Sequence, residues 1–440
     1  MARVMAEQVG AWLAQQRDVP LPDGRSGWVE CQVELVERWR PGAPTASFRL
    51  AVQLRALNGQ NLPVAVRFWS ADAAAEAPAC CELRLDQPLL LQVVHIPKPW
   101  GQEIWYTGVE ERGVCGFQGE GGAIAPLPWL LETLAPLDSG GHRELVLLKI
   151  LDPRPEPVWG DLYFELHEEK REVYVVTRVD PQAWPDGAGA IRFGFDPAVV
   201  AQYEDEAAFK RAYRDSVAAY EGVRRDIDRL LDDCRTRAGV GLAEALAPEQ
   251  LQQWLAEVPG ELLSRERDRR RAMDAFTRSR PLRVGDVVKV PCLTPHALQH
   301  GVRTVEFQTP VYERKILSFA QKVLTQGHWD TAEAVALMQV RTPPEGTFET
   351  VLQQPGVLAE RIVDFADFQV QRWRIAAGGR HSMPLAGSYA LVMVVEGEAQ
   401  LGQLALGPEQ ACLVPTTLGA VEVHNPAGQA VTLLVAVPAE

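Results

Sequence analysis

Gly160-Asp161-Leu162-Tyr163-Phe164-Glu165-Leu166-His167-Glu168-Glu169-Lys170-Arg171-Glu172 is the stretch on which the fold reading turns. It reads as a strand, a tight turn in the charged run 168–170, and a returning strand. Side chains alternate across a strand, so Tyr163, Glu165 and His167 share one face and Leu162, Phe164 and Leu166 the other. The returning strand sets Glu172, Tyr174 and Val176 on one face. Two adjacent strands thereby aim Glu165, His167 and Glu172 at one point, three of the four donors that a tetrahedral metal site takes. A fourth stands at His296, in Gly285-Asp286-Val287-Val288-Lys289-Val290-Pro291-Cys292-Leu293-Thr294-Pro295-His296. There a turn glycine opens a strand, Pro291 ends it, and a short loop presents the imidazole.

The bulk numbers bound the function. With 440 residues, 47% of them hydrophobic, the chain is long enough for two or three packed domains. Its 32 prolines and 35 glycines are spread throughout, as turn-rich β structure requires. Net charge is −14, and the one Lys/Arg-rich run, 264–278, reads as a solvated helix face, which argues against nucleic acid as a partner. Seven scattered cysteines (Cys31, Cys80, Cys81, Cys115, Cys234, Cys292, Cys412) form no CxxC pair, and their odd number argues against a disulfide framework. No apolar run reaches the roughly 18–20 residues of a membrane span. The first 16 residues carry acidic and polar interruptions unlike a signal peptide. A small-molecule protein of the reducing cytoplasm is expected.

Outward from the opening stretch, residues 1–20 read as a short amphipathic helix stopped by Pro20 and Pro22. Alternating runs at 28–39, 47–57, 62–69 and 82–94 predict antiparallel strands, with turns at Pro41-Gly42 and Asn58-Gly59. A Pro/Gly/Trp-rich loop from His95 precedes a helix at 128–134 and strands at 145–151 and 190–195. From 205 to 279 the apolar residues fall at helical spacing, as in Phe209, Tyr213, Val217 and Tyr220. Strands resume at 284–290, 302–309 and 315–319. After a linker around Pro343, Pro344 and Pro355-Gly356, six short strands between 368 and 437 suit a small barrel or sandwich.

The paired stretches resemble the two motifs of the cupin superfamily. Gly160, a gap of four, Glu165-Leu166-His167, a gap of four and Glu172 match the first. Gly285, a gap of five, Pro291 and His296 match the second, with Leu293 in its second glycine's place. Within cupins the chain resembles the type I mannose-6-phosphate isomerases. Lys98-Pro99-Trp100-Gly101-Gln102-Glu103-Ile104-Trp105, Leu147-Leu148-Lys149-Ile150-Leu151-Asp152, Lys170-Arg171-Glu172, Pro295-His296-Ala297 and Glu306-Phe307-Gln308 carry that likeness over 95–440. The chain departs from the pattern at Glu165, where the family has Gln, and at Arg314, whose offset differs.

The resemblance implies a mainly β fold of two cupin barrels (double-stranded β-helix, or jelly-roll). A metal-binding barrel would occupy 95–204 and 280–345, with a helical insert at 205–279. A metal-free barrel would occupy 346–440, and 1–94 would be an N-terminal β extension. It implies a divalent metal, zinc above all, held by Glu165, His167, Glu172 and His296. It implies aldose–ketose isomerisation of a sugar or sugar phosphate, with Lys170 as the base or its helper and Arg314 steadying an enediolate or phosphate. Two carboxylates with two imidazoles are acceptable to iron or manganese as well. The departures motivate an alternative, a non-catalytic carbohydrate-binding or regulatory cupin. An iron-dependent oxygenase is a third class.

Overall fold

Short alternating runs punctuated by glycine and proline make strands, and the protein is mainly β. This computed structural model describes residues 1–17, 26–57, 60–70, 80–138, 144–242, 244, 246–324, 326–342, 346–385 and 387–439. Pro20 and Pro22, the Asn58-Gly59 turn and the Pro343-Pro344 linker lie outside them. The chain forms two compact units, one from 1–94, 105–149 and 347–440, the other from 95–104 and 150–346.

In the first unit, Ser26–Val36, Thr45–Leu57, Gln60–Ser70 and Cys81–Arg84 form an antiparallel sheet. The helix expected over 1–20 is shorter. Ala2–Met5 is a strand pairing in parallel with 31–34, and the helix is Val9–Arg17. Ladder hydrogen bonds from a neighbouring edge override the local helical preference there. Leu89–Gln92 pairs with Ala411–Val414, so residues 1–94 run into the same nine-stranded sheet as the last β segment. Val392 and Leu433 of that sheet share a buried core with Leu401 and Val423 of a four-stranded sheet.

The second unit carries the opening stretch. In it Val287–Val290, Glu172–Val179 and Val302–Gln308 lie side by side in that order in a six-stranded sheet. Its five-stranded sheet runs Thr277–Leu282, Gly189–Phe195, His296–Leu298, Phe164–Leu166, Lys315–Ser318. The two strands of the opening stretch therefore do not pair, which corrects the hairpin reading. The charged run 168–170 is a corner that carries the chain from one sheet to the other. The Glu313 carboxylate pins it, accepting from the Glu169 and Lys170 amides at 3.1 Å each.

Alternation had no solvent face to report, because both faces of Phe164–Leu166 are covered. On the inner face the Tyr174 and His296 rings meet across the sheets at 6.0 Å. On the outer face Phe164 meets Phe195 and Tyr213 edge-on. Tyr213 belongs to the helix Glu206–Ala238, whose stripe of Phe209, Tyr213, Val217 and Tyr220 is fully buried. Asp205 caps this helix by accepting from the Ala208 amide at 2.6 Å, and Gly239 ends it at φ 69°. Among the described residues no helix is long and apolar enough to cross a membrane.

Candidate metal centre

Glu165 lies mid-strand, and its ladder partner on the adjacent strand is His296. Side chains of such partners stand about 5 Å apart on one face. His167 follows at the corner, where its carbonyl accepts from the Leu293 amide at 2.7 Å and ties the two motif segments together. Leu293 has φ 63°, the left-handed conformation that a glycine adopts freely.

Donor atoms of Glu165, His167 and His296 all lie within 4.8 Å of one another. Glu172 is not one of that group, yet its carboxylate lies against both imidazoles. One oxygen is 3.2 Å from His167 Nε2 and the other 3.0 Å from His296 Nε2. Lys170 Nζ sits 2.7 Å from Glu172 Oε1, and the Tyr174 hydroxyl donates to Oε2 at 2.6 Å. Arg314 stands beside the group. Its Nε is 3.9 Å from Glu165 Oε2, and its guanidinium carbon is 4.4 Å from the Tyr163 ring centroid.

The imidazoles are oriented for ligation. His167 Nδ1 lies 2.9 Å from the Glu313 carbonyl, and His296 Nδ1 lies 3.0 Å from the Thr294 carbonyl. A carbonyl only accepts, so Nδ1 carries a proton in both rings, and each ring turns its Nε2 toward the centre. Nε2 of His167 and Oε2 of Glu165 are buried with no hydrogen-bond partner. Burial, with Lys170 adding to it, lowers the His167 pKa and keeps the ring neutral. Burial alone would raise Glu172, but the Lys170 ammonium beside it holds it well below the usual carboxylate range. The lone pair of a neutral His167 ring, 3.2 Å from the Glu172 carboxylate, repels it unless a proton or a cation lies between them. Oxygen and imidazole donors so placed fit a divalent metal ion.

All six residues singled out from the sequence fall in this region. Sequence reasoning did not single out Tyr174, Glu313 or Tyr163 for a role. Tyr174 had a signal, since it lies two residues from Glu172 on the same strand face. Glu313 had none, because it reaches the corner from 143 residues away.

No family model matches the sequence, and no curated protein matches it. Solved structures do match in fold. Mannose 6-phosphate isomerase from Bacillus subtilis aligns over 80% of this chain and 99% of its own, at 14% identity and a TM-score of 0.55. The apo form of mannose 6-phosphate isomerase from Salmonella typhimurium aligns over 80% of this chain and 100% of its own, at 15% identity and a TM-score of 0.51. Over about four fifths of its length the chain therefore shares the fold of these mannose 6-phosphate isomerases.

Proposed function

We propose that the protein is a metal-dependent aldose–ketose isomerase acting on a sugar phosphate in the cytoplasm. The observation that carries this reading is the convergence of Glu165, His167 and His296, with Lys170 and Glu172 alongside, in a fold shared with phosphomannose isomerases. Glu165, His167, His296 and Glu172 would hold the ion, zinc before iron or manganese. A divalent cation there supplies Lewis acidity toward the oxygens of the reacting carbons. Isomerisation moves a proton between those carbons through an enediol. Lys170, 9% exposed at its side chain and 2.7 Å from Glu172, would exchange that proton. Arg314 offers a fork of donors to the enediolate or the phosphate.

The test is reconstitution. Metal-stripped protein is loaded with zinc, manganese or iron and assayed across phosphorylated hexoses and pentoses, mannose 6-phosphate included. Turnover returns with metal, and both bound metal and turnover fall by about 100-fold or more in Glu165→Ala and His296→Ala. Metal-loaded protein that turns over none of these sugars defeats the proposal. A second reading rests on the group itself, since one carboxylate and two imidazoles also serve non-haem iron oxygenases. Oxygen uptake on iron loading, with no isomerisation, would select it.

A further inference from the structure

Arg314 stands beside Glu165 without closing on it. Its Nε is 3.9 Å from Glu165 Oε2, beyond hydrogen-bond distance, and that oxygen is buried with no hydrogen-bond partner. A guanidinium free to move closes on a neighbouring carboxylate to about 2.7–2.9 Å, often through two parallel bonds. The two side chains are only 22% and 17% exposed, so solvent screens their attraction incompletely.

The guanidinium rests on an aromatic ring instead. Its carbon lies over Tyr163, 4.4 Å from the ring centroid. Tyr163 comes just before the strand Phe164–Leu166 and, by alternation, shares the face of Glu165. Arg314 and Phe319 flank the strand Lys315–Ser318, which pairs with Phe164–Leu166. Both meet the same ring, Phe319 at 4.1 Å between centroids. Tyr163 is 5% exposed and Phe319 2%, so the ring is fixed by packing before anything binds.

We propose that Tyr163 is a positioning residue, whose ring seats the Arg314 guanidinium and keeps it from closing on Glu165. The carboxylate is thereby kept for the metal, and the guanidinium donors for the anionic group of the substrate. The first half needs only metal binding by Glu165. The second rests on the isomerase reading.

Zinc titration of the metal-stripped full chain, read by calorimetry, tests the first half with no sugar present. Tyr163→Leu lowers zinc affinity about tenfold or more, because the released guanidinium closes on Glu165. Tyr163→Phe keeps the unaltered affinity, since it keeps the ring face. Arg314→Met removes the competing cation, so Tyr163→Leu added to it binds zinc as Arg314→Met alone does. A mere packing defect at Tyr163 would lower the affinity in both backgrounds. Tyr163→Met, which fills similar space without a ring, serves if Tyr163→Leu does not fold. In turnover of mannose 6-phosphate at saturating zinc, Tyr163→Leu raises KM about tenfold with a smaller change in kcat, and Tyr163→Phe does not. Zinc bound as tightly by Tyr163→Leu as by the unaltered protein, or a loss undiminished beside Arg314→Met, overturns the proposal. The expected zinc affinities in a protein that turns over no sugar would defeat the isomerase reading and leave the seating of Arg314 standing.

Discussion

Glu172 takes four contacts on two oxygens: Lys170 and His167 on one, Tyr174 and His296 on the other. The Tyr174 hydroxyl stays a donor, because burial, with Glu172 and Glu306 adding to it, raises its pKa well above the ordinary value. A hydrogen bond to a buried charge contributes roughly 1.5–3 kcal/mol. Tyr174→Phe should therefore destabilise the metal-free protein by about 2 kcal/mol, read as a lower urea midpoint with unchanged slope. With metal bound the loss should shrink, since the ion compensates the same carboxylate. At this scale the sequence showed which residue types could meet, since Glu165, His167 and Glu172 stand at spacings a strand–corner–strand supplies. It could not show that Glu313 holds both His167 and the corner, because that contact depends on how two distant segments settle against each other.

Two backbone positions decide how the elements deliver these side chains. A Cβ on Gly160 would lie 1.9 Å from the Arg154 carbonyl oxygen and 2.7 Å from His300 Cβ, both within the tightly tied start of the opening stretch. The next residue, Asp161, is fixed by the His300 amide at 3.0 Å and by its ring at 2.8 Å. Gly160→Ala must push this segment aside. An overpacking cost of about 1–3 kcal/mol is expected, with a lower melting temperature and weaker zinc binding by isothermal titration. Gly160 was legible as the glycine that opens the first motif, and its reason is close approach of another segment and not a positive φ. Leu293 is the converse case. It breaks the motif's glycine, yet its backbone takes the left-handed conformation regardless, at a cost of roughly 1–2 kcal/mol that its partial burial against the core offsets. The corner at 168–170 was misread as a hairpin because alternation reports which residues share a face and not which strand lies next door.

In the unit that carries the metal centre, the helical segment is structural to the sheets beneath it. Phe209, Tyr213, Val217 and Tyr220 belong to the same buried cluster as Phe164, Ile191 and Ile316 of the five-stranded sheet. The helical spacing of that stripe was plain in the sequence, as was the β character of what surrounds it. The pairing of Leu89–Gln92 with Ala411–Val414 was not, since nothing local marks a partner more than 300 residues away. Tyr213 meets Phe195 at 5.0 Å and Phe164 at 6.5 Å between ring centroids, so truncating it opens a cavity against the strand that carries Glu165. Tyr213→Ala should cost about 3–5 kcal/mol. Because the cavity is shared, helix and sheet should lose that stability together, with helical circular dichroism and tryptophan fluorescence keeping coincident urea transitions at a lower midpoint. A helical signal that melts first, leaving the fluorescence transition where it was, would show instead that the helices fold on their own account and that the sheets hold Glu165 and His296 in place without them.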